Sequence, residues 1–294
     1  MNLIQRTFYK SNFLQRLYHD SVLSGVMHWL KKIAIFFKYK LESLVQELDC
    51  LPRQLGVCDR RFKGLKLYKN RYQGKRCFIT CTGPSLTIGD LESLKNEYTF
   101  GMNSIALIHD QTDWKPDFFG VQDIHVFKKI SEFVKQDNNG IVFVPYSLKK
   151  KYNLPNHWIA FPLCGAYHLY EMIFGPKYFA KYSDDCYVKV YDGYTITYSL
   201  IQIAVYMGFS EIYLLGCDCN YMGGKQHFIE TGHYDPGAVH AAERTSAAYE
   251  IAKKYADQHG VKIFNATRGG KLELFPRKKL DDVLKQNEKN KLVD

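Results

Sequence analysis

The residues best suited to hold a charged ligand lie in one short stretch, Cys77-Phe78-Ile79-Thr80-Cys81-Thr82-Gly83-Pro84-Ser85-Leu86. It runs as an apolar β-type segment, breaks at Gly83-Pro84, and reaches Ser85 ahead of residues 87–96, which suit a helix. A strand that ends in a small-residue turn before a helix leaves backbone N–H groups pointing outward, the recipe for gripping a phosphate or pyrophosphate. Gly83 lets a ligand approach the main chain, and Pro84 stiffens the turn. Taken alone, the same pattern also describes an ordinary strand-to-helix turn.

Further polar groups follow apolar runs in the same way. Asn103, with Ser104 after it, could read a ribose or a base edge, or simply cap a turn. Asp123 and Asp218 each follow a strand-like run, Asp218 through Gly216-Cys217. Such carboxylates hold Mg²⁺, orient a hydroxyl or accept a proton; the plainer alternative is an Asx turn or helix cap. The densest polar cluster comes next: His227, Glu230, His233, Tyr234, Asp235, His240, Glu243 and Arg244. Six residues from His227 to His233 is no diagnostic metal spacing, so no metal site is expected. A His- and Gly-rich loop before a helix suits a lid carrying one general base, with His240 and Glu243 on one helix face at i, i+3. Solvated loop histidines are the alternative. Tyr187, Tyr191, Tyr194 and Tyr198 offer phenols to a departing phosphate, or form the aromatic edge of a core. Arg268 and Lys271 flank Gly269-Gly270 as a possible anion clamp.

These groups must be held by a regular scaffold. Strands are expected over 76–81, 98–102, 118–121, 140–144, 158–161, 211–215 and 261–265, and helices over 88–96, 125–136, 197–207 and 240–259. That alternation predicts an α/β fold, a Rossmann-like, mostly parallel sheet with helices on both faces. Ligands of such sheets collect at the carboxyl ends of the strands, where residues 82–85, 102–104, 122–123 and 216–218 all fall. The 294 residues, 46% hydrophobic and 15% aromatic, suit one sizeable domain with an appendage.

The net charge of +10 is unevenly placed: residues 1–75 hold 15 Lys and Arg against 5 Asp and Glu, and beyond them the charges balance. The chain therefore reads as a basic arm over 1–74 and a nucleotide-binding catalytic domain over 75–294. This distribution argues against a nucleic-acid-coating protein. In the arm, Asp20 or Ser21 could cap an amphipathic helix running to about Leu48. Lys31, Lys32, Lys38 and Lys40 break its apolar run well short of the roughly 20 residues that span a bilayer. Such a helix lies on an anionic membrane surface or packs on its own domain or a second subunit. Eight cysteines without a Cys-x-x-Cys, and no secretory signal, suggest reduced thiols in a cytoplasmic protein.

Together, Thr82-Gly83-Pro84-Ser85-Leu86, Asn103-Ser104, Leu215-Gly216-Cys217-Asp218 and residues 265–273 resemble the 6-hydroxymethylpterin diphosphokinase-like (MptE-like) family, common among bacterial proteins of surface-polysaccharide synthesis. The same skeleton, over about residues 75–280, looks like the family 42 bacterial sialyltransferases. The sialyltransferase likeness implies a CMP-sugar donor and a glycan or lipid-linked saccharide acceptor, with no cofactor required. It sets Gly83 and Ser85 near the phosphate and Asn103 near the nucleotide. Tyr187 and Tyr191 fall near the leaving group, and His240 or His233 acts as base. Cys81-Thr82 stands where that family has Gly-Asn. The pterin-kinase likeness implies instead ATP, pyrophosphoryl transfer, and Mg²⁺ on Asp123 and Asp218. The expected function is a glycosyltransferase, cytoplasmic or peripheral on the inner membrane face and capable of homo-oligomerising. The alternatives are a pyrophosphokinase on a small heterocycle and a nucleotide-binding scaffold.

Overall fold

The computed structural model describes residues 21–108, 110–136, 140–174, 178–220, 228–229 and 240–291. In chain order the helices and strands begin with α1 (Ser21–Gln54), α2 (Lys63–Lys66), β1 (Arg76–Thr80), α3 (Ile88–Ser93), β2 (Tyr98–Met102), β3 (Phe118–Gly120) and α4 (Ile124–Gln136). They continue with β4 (Ile141–Pro145), α5 (Tyr146–Lys151), β5 (Ile159–Phe161), β6 (Leu163–Cys164), α6 (Leu169–Phe174) and β7 (Val190–Tyr191). The last are α7 (Ile196–Tyr206), β8 (Glu211–Leu215), α8 (Ala241–Gln258), β9 (Lys262–Asn265) and α9 (Leu280–Lys291).

The chain divides into two compact units, residues 1–49 with 166–177, and 50–165 with 178–294. In the first, α1 meets the short segment around α6. Gln46 Oε1 accepts the Ala166 N–H at 3.3 Å, and Tyr39 meets Tyr170 edge-on at 6.4 Å. No described helix is long and apolar enough to cross a membrane. The second unit opens on residues 50–74, which are part of its core: Phe62 and Leu65 are fully buried with the sheet. Arg53, also buried, ties this segment down by pairing with Asp59 at 2.8 Å and donating to the Val188 carbonyl at 3.0 Å.

The sheet of the second unit has seven strands in the order β5-β4-β3-β2-β1-β8-β9, every neighbouring pair parallel. It is the Rossmann-like sheet expected, and a two-stranded parallel pair, β6 with β7, stands beside it. Along β1 the side chains alternate between two cores: Cys77 and Ile79 join one, Phe78 the other. Sheets covered on both faces need such apolar strands, because neither face meets water. One face is covered by α7 and α8, the other by α3, α4, α5 and α9. Helix α7 is buried over nearly its whole length. Its one amide, Gln202, bonds Tyr191 through both ends, accepting from N–H at 3.1 Å and donating to C=O at 2.7 Å. A buried amide left unpaired would cost about 1–3 kcal/mol, so this contact also fixes β7 against α7.

Candidate active site

The chain runs outward from β1 through β2 to β5, then returns to the other side of β1 as β8 and β9. The order reverses at β1–β8, and the crevice beyond the carboxyl ends there is where open α/β sheets take ligands. A cavity of about 160 Å³ lies at that place, lined by Cys81 to Gly83 after β1, Met102 at the end of β2 with Asn103 after it, and Gly216 to Asn220 after β8. Thr195, the N-cap of α7, with Thr197 and Tyr249 of α8 completes the wall. A larger cavity of about 410 Å³ opens elsewhere, among Lys69, Asp184, Tyr206 and His259. None of the expected site residues lines it.

The Gly-Pro-Ser corner is closed on the protein itself. The Gly83 N–H donates to the Gly216 carbonyl at 2.8 Å, and Ser85 Oγ donates to Asp218 Oδ2 at 2.8 Å, with the Ser85 N–H at 3.4 Å from the same oxygen. Asp218, 8% exposed, thus fills the place expected for a phosphate. Gly83 is required by this packing: a Cβ there would lie 2.0 Å from Asp218 Oδ2 and 2.4 Å from the Gly216 carbonyl oxygen. The Gly269-Gly270 turn closes behind it. A Cβ on Gly270, at φ +74°, would fall 2.8 Å from the Asp218 carbonyl oxygen, which accepts the Lys271 N–H at 2.7 Å.

The wall beside that corner is different. Asn103 sits in the left-handed region at φ +49°, and its buried Oδ1 has no hydrogen-bond partner among the described residues. Asn is one of the few residues that visit this region routinely, and a buried acceptor left open at a cavity wall calls for a partner. Three thiols converge nearby. Cys217 Sγ lies 3.3 Å from the Tyr249 hydroxyl and 3.9 Å from Cys219 Sγ, while Cys81 Sγ lies 3.6 Å from Thr197 Oγ1. Hydrogen bonds from Cys219, Cys81 and Tyr249 outweigh burial and hold the Cys217 thiol well below its ordinary value of 9.0. Cys81 and Cys219 are pushed up in turn, first by their bonds to Cys217 and then by burial. All eight cysteines are free thiols.

The other expected residues are dispersed. Ser104 is buried in the 3₁₀ turn Asn103–Ile108. Asp123 takes the capping alternative, its Oδ1 accepting the N–H groups of His125 at 2.6 Å and Val126 at 2.9 Å. Tyr187 is buried and turned away, its hydroxyl accepting the Asp59 N–H at 2.6 Å. Tyr191 is held by Gln202, Tyr194 donates to the Phe179 carbonyl at 3.0 Å, and Tyr198 donates to the Lys181 carbonyl at 2.8 Å. None of the four lines the cavity, and the aromatic-edge alternative describes them. Arg268 is engaged by Asp90, Nη1 to Oδ1 at 2.7 Å and Nη2 to Oδ2, which fastens the Gly-Gly turn to the first turn of α3. His240 stands at the N-cap of α8 with Nδ1 3.5 Å from Glu243 Oε2, the i, i+3 pair expected, and outside the cavity wall. His227, Glu230, His233, Tyr234 and Asp235 lie outside the described residues.

The sequence reading passed over the three converging thiols and over Arg277. The Cys217-x-Cys219 spacing was the one available sign of the former. Arg277 holds the Gly-Gly turn by donating to the carbonyls of Thr267 at 3.1 Å and Gly269 at 2.7 Å. Its signal, the first residue of the basic run Arg277-Lys278-Lys279 after Pro276, is indistinguishable from a surface charge.

Fold and crevice together define a Rossmann-like α/β protein with a cavity at the topological switch point. The family model described as 6-hydroxymethylpterin diphosphokinase MptE-like matches residues 58–224, more than half of the chain, and the chain belongs to that family. The match takes in the corner, Asn103 and Asp218, and stops short of His240 and Arg268. No curated protein matches the chain. A solved structure, the MAf glycosyltransferase from Magnetospirillum magneticum AMB-1, is similar at 14% identity and a TM-score of 0.44. The likeness covers 78% of this chain and 40% of that one, so this chain spans less than half of that protein's length.

Proposed function

We propose that this chain is a transferase that takes the nucleoside end of an activated donor, a CMP-sugar, into the switch-point pocket and passes the sugar to a glycan or lipid-linked saccharide. The observation that carries this reading is the character of the wall. It offers an unpartnered amide oxygen on Asn103 and the carboxylate of Asp218, and its described lining contains no Lys or Arg. Acceptors without a cation repel a phosphate and favour ribose hydroxyls or an exocyclic amine. At about 160 Å³ the cavity is smaller than the roughly 300 Å³ of a whole small-molecule site, which suits one ring of the donor rather than all of it.

In this reading the acceptor oxygen attacks the anomeric carbon as the bond to the donor phosphate breaks. The acceptor proton passes to a histidine, His240 or His233, with Glu243 steadying the ring of the former. Asp218, steadied by Ser85, orients donor hydroxyls.

The family description favours a second reading, pyrophosphoryl transfer from ATP. The two carboxylates expected to share Mg²⁺ do not meet there: Asp218 lines the pocket and Asp123 caps α4 outside it. The described residues form no cluster of three metal-ligating groups.

A thermal-shift panel of CMP, CDP, UDP, GDP and ATP, each with and without Mg²⁺, separates the readings, since a binder stabilises the fold by mass action. CMP should raise the melting temperature, and Asn103→Ala should abolish that rise while costing the free protein no more than about 1–2 kcal/mol. Stabilisation by ATP with Mg²⁺ alone overturns the glycosyltransferase reading.

A further inference from the structure

The cavity of about 410 Å³ has the size of a small-molecule site, roughly 300–1,000 Å³, and lies at the other end of the sheet from the switch point. It is lined by Gly74 ahead of β1, Ser210 ahead of β8 and Gly260-Val261 ahead of β9. Strands β1 and β8 have five residues each, at about 3.3 Å per residue, and so hold the two cavities roughly 17 Å apart. The wall is close-packed behind: Gly208 sits at φ +96°, where a Cβ would lie 3.0 Å from the Cα and main-chain N of Gln73.

Two groups on this wall are set to meet a ligand. Tyr206, the last residue of α7, is 7% exposed, and its hydroxyl has no hydrogen-bond partner among the described residues. Burial pushes its pKa up, so the proton stays on and the hydroxyl remains a donor. His259, the residue after α8, has Nδ1 2.8 Å from the Tyr255 carbonyl oxygen. A carbonyl only accepts, so Nδ1 carries the proton and Nε2 of the neutral ring is an acceptor. The imidazole is held by a column of rings, stacked on Tyr255 at 3.9 Å, which is stacked in turn on Tyr182 at 4.0 Å.

The charges work against an anion. Lys69 pairs with Asp185 at 2.6 Å, and Asp184 lines the wall. Helices α7 and α8 both end here, at Tyr206 and Gln258, and a helix carboxyl end carries partial negative charge. The amides of Asn70 and Gln73 add donors and acceptors without charge. Donors and acceptors side by side, with no unpaired lysine or arginine, match a ring that bears several hydroxyls, because each hydroxyl both gives and takes a hydrogen bond. We propose that this cavity binds a neutral saccharide unit, so that the chain grips a glycan at a point remote from the switch-point cavity. The grip rests on these residues and not on the identity of the donor.

Saturation-transfer NMR titrations of the full chain with maltose, cellobiose, N,N′-diacetylchitobiose and AMP test this. At least one disaccharide should bind, with Tyr206→Phe weakening it about fivefold and His259→Ala about tenfold. Tyr206→Phe should leave the urea midpoint unchanged, since a hydroxyl without a partner holds nothing together. Asn103→Ala should leave disaccharide binding intact, and Tyr206→Phe should leave any CMP-induced rise in melting temperature intact, so this proposal and the donor reading fail separately. No binding of any disaccharide, binding untouched by both cavity variants, or binding lost in Asn103→Ala overturns the proposal. So does binding of AMP alone that Tyr206→Phe weakens, which assigns the cavity to a nucleotide.

Discussion

Two neighbouring parts of the switch-point crevice handle their polar groups in opposite ways. In the corner after β1, the Gly83 amide and the Ser85 hydroxyl are engaged at hydrogen-bond distance by Gly216 and Asp218. On the wall of the same cavity, Asn103, in the left-handed region, keeps an acceptor unpartnered among the described residues. A small-residue turn that looks ready for a phosphate can thus be a device for seating a carboxylate. The acceptor left without a partner among the described residues then stands on the wall, at Asn103.

The comparison breaks if the corner is tolerant. Gly83→Ala should cost about 3 kcal/mol or more in urea unfolding, because the new methyl would meet the Asp218 carboxylate and the Gly216 carbonyl. Gly89→Ala, whose nearest neighbour is the Thr87 hydroxyl at 3.9 Å, should be neutral or gain up to about 1 kcal/mol. Equal effects at the two glycines would mean that the corner is not close-packed.

The thiols sharpen the contrast on the open side. Cys217 is 6% exposed, so its alkylation by iodoacetamide should lag far behind that of the exposed Cys58 in the mass spectrum at any pH. A Cys217 that reacts as fast as Cys58 would show that the three thiols are not packed together beneath the surface.

The smallest effect is expected at Arg268. Its side chain is 59% exposed, so Arg268→Ala should cost less than about 1 kcal/mol, while Thr87 and Asp90 keep their reciprocal cap on α3. A larger loss would make the Gly-Gly turn a structural brace of the corner.

Much of this was legible in the residues. Strands at 98–102 and 211–215 fall where apolar β-rich runs place them, because strands buried on both faces need continuous apolar sequence. The apolar run of α7 and the His240–Glu243 spacing were also readable, since both depend on local periodicity. Helix α1 runs past the expected end at Leu48 to Gln54, and α5, α6 and α9 were not anticipated. Two of these, α5 and α6, are only six residues long, too short for a periodic signal.

What the sequence determined by itself is the class of fold, the place of the crevice, and the identity of Asn103 and Asp218 as residues at its edge. All of these follow from patterns a few residues long. What only the tertiary structure decided is which partner each polar group takes. Asp218 reaches Ser85 across 133 positions, Arg268 reaches Asp90 across 178, and Tyr187 turns to Asp59 across 128. Hydrogen bonds and charge pairs act over a few ångströms, so distance along the chain says nothing of them until the sheet has brought its strands side by side.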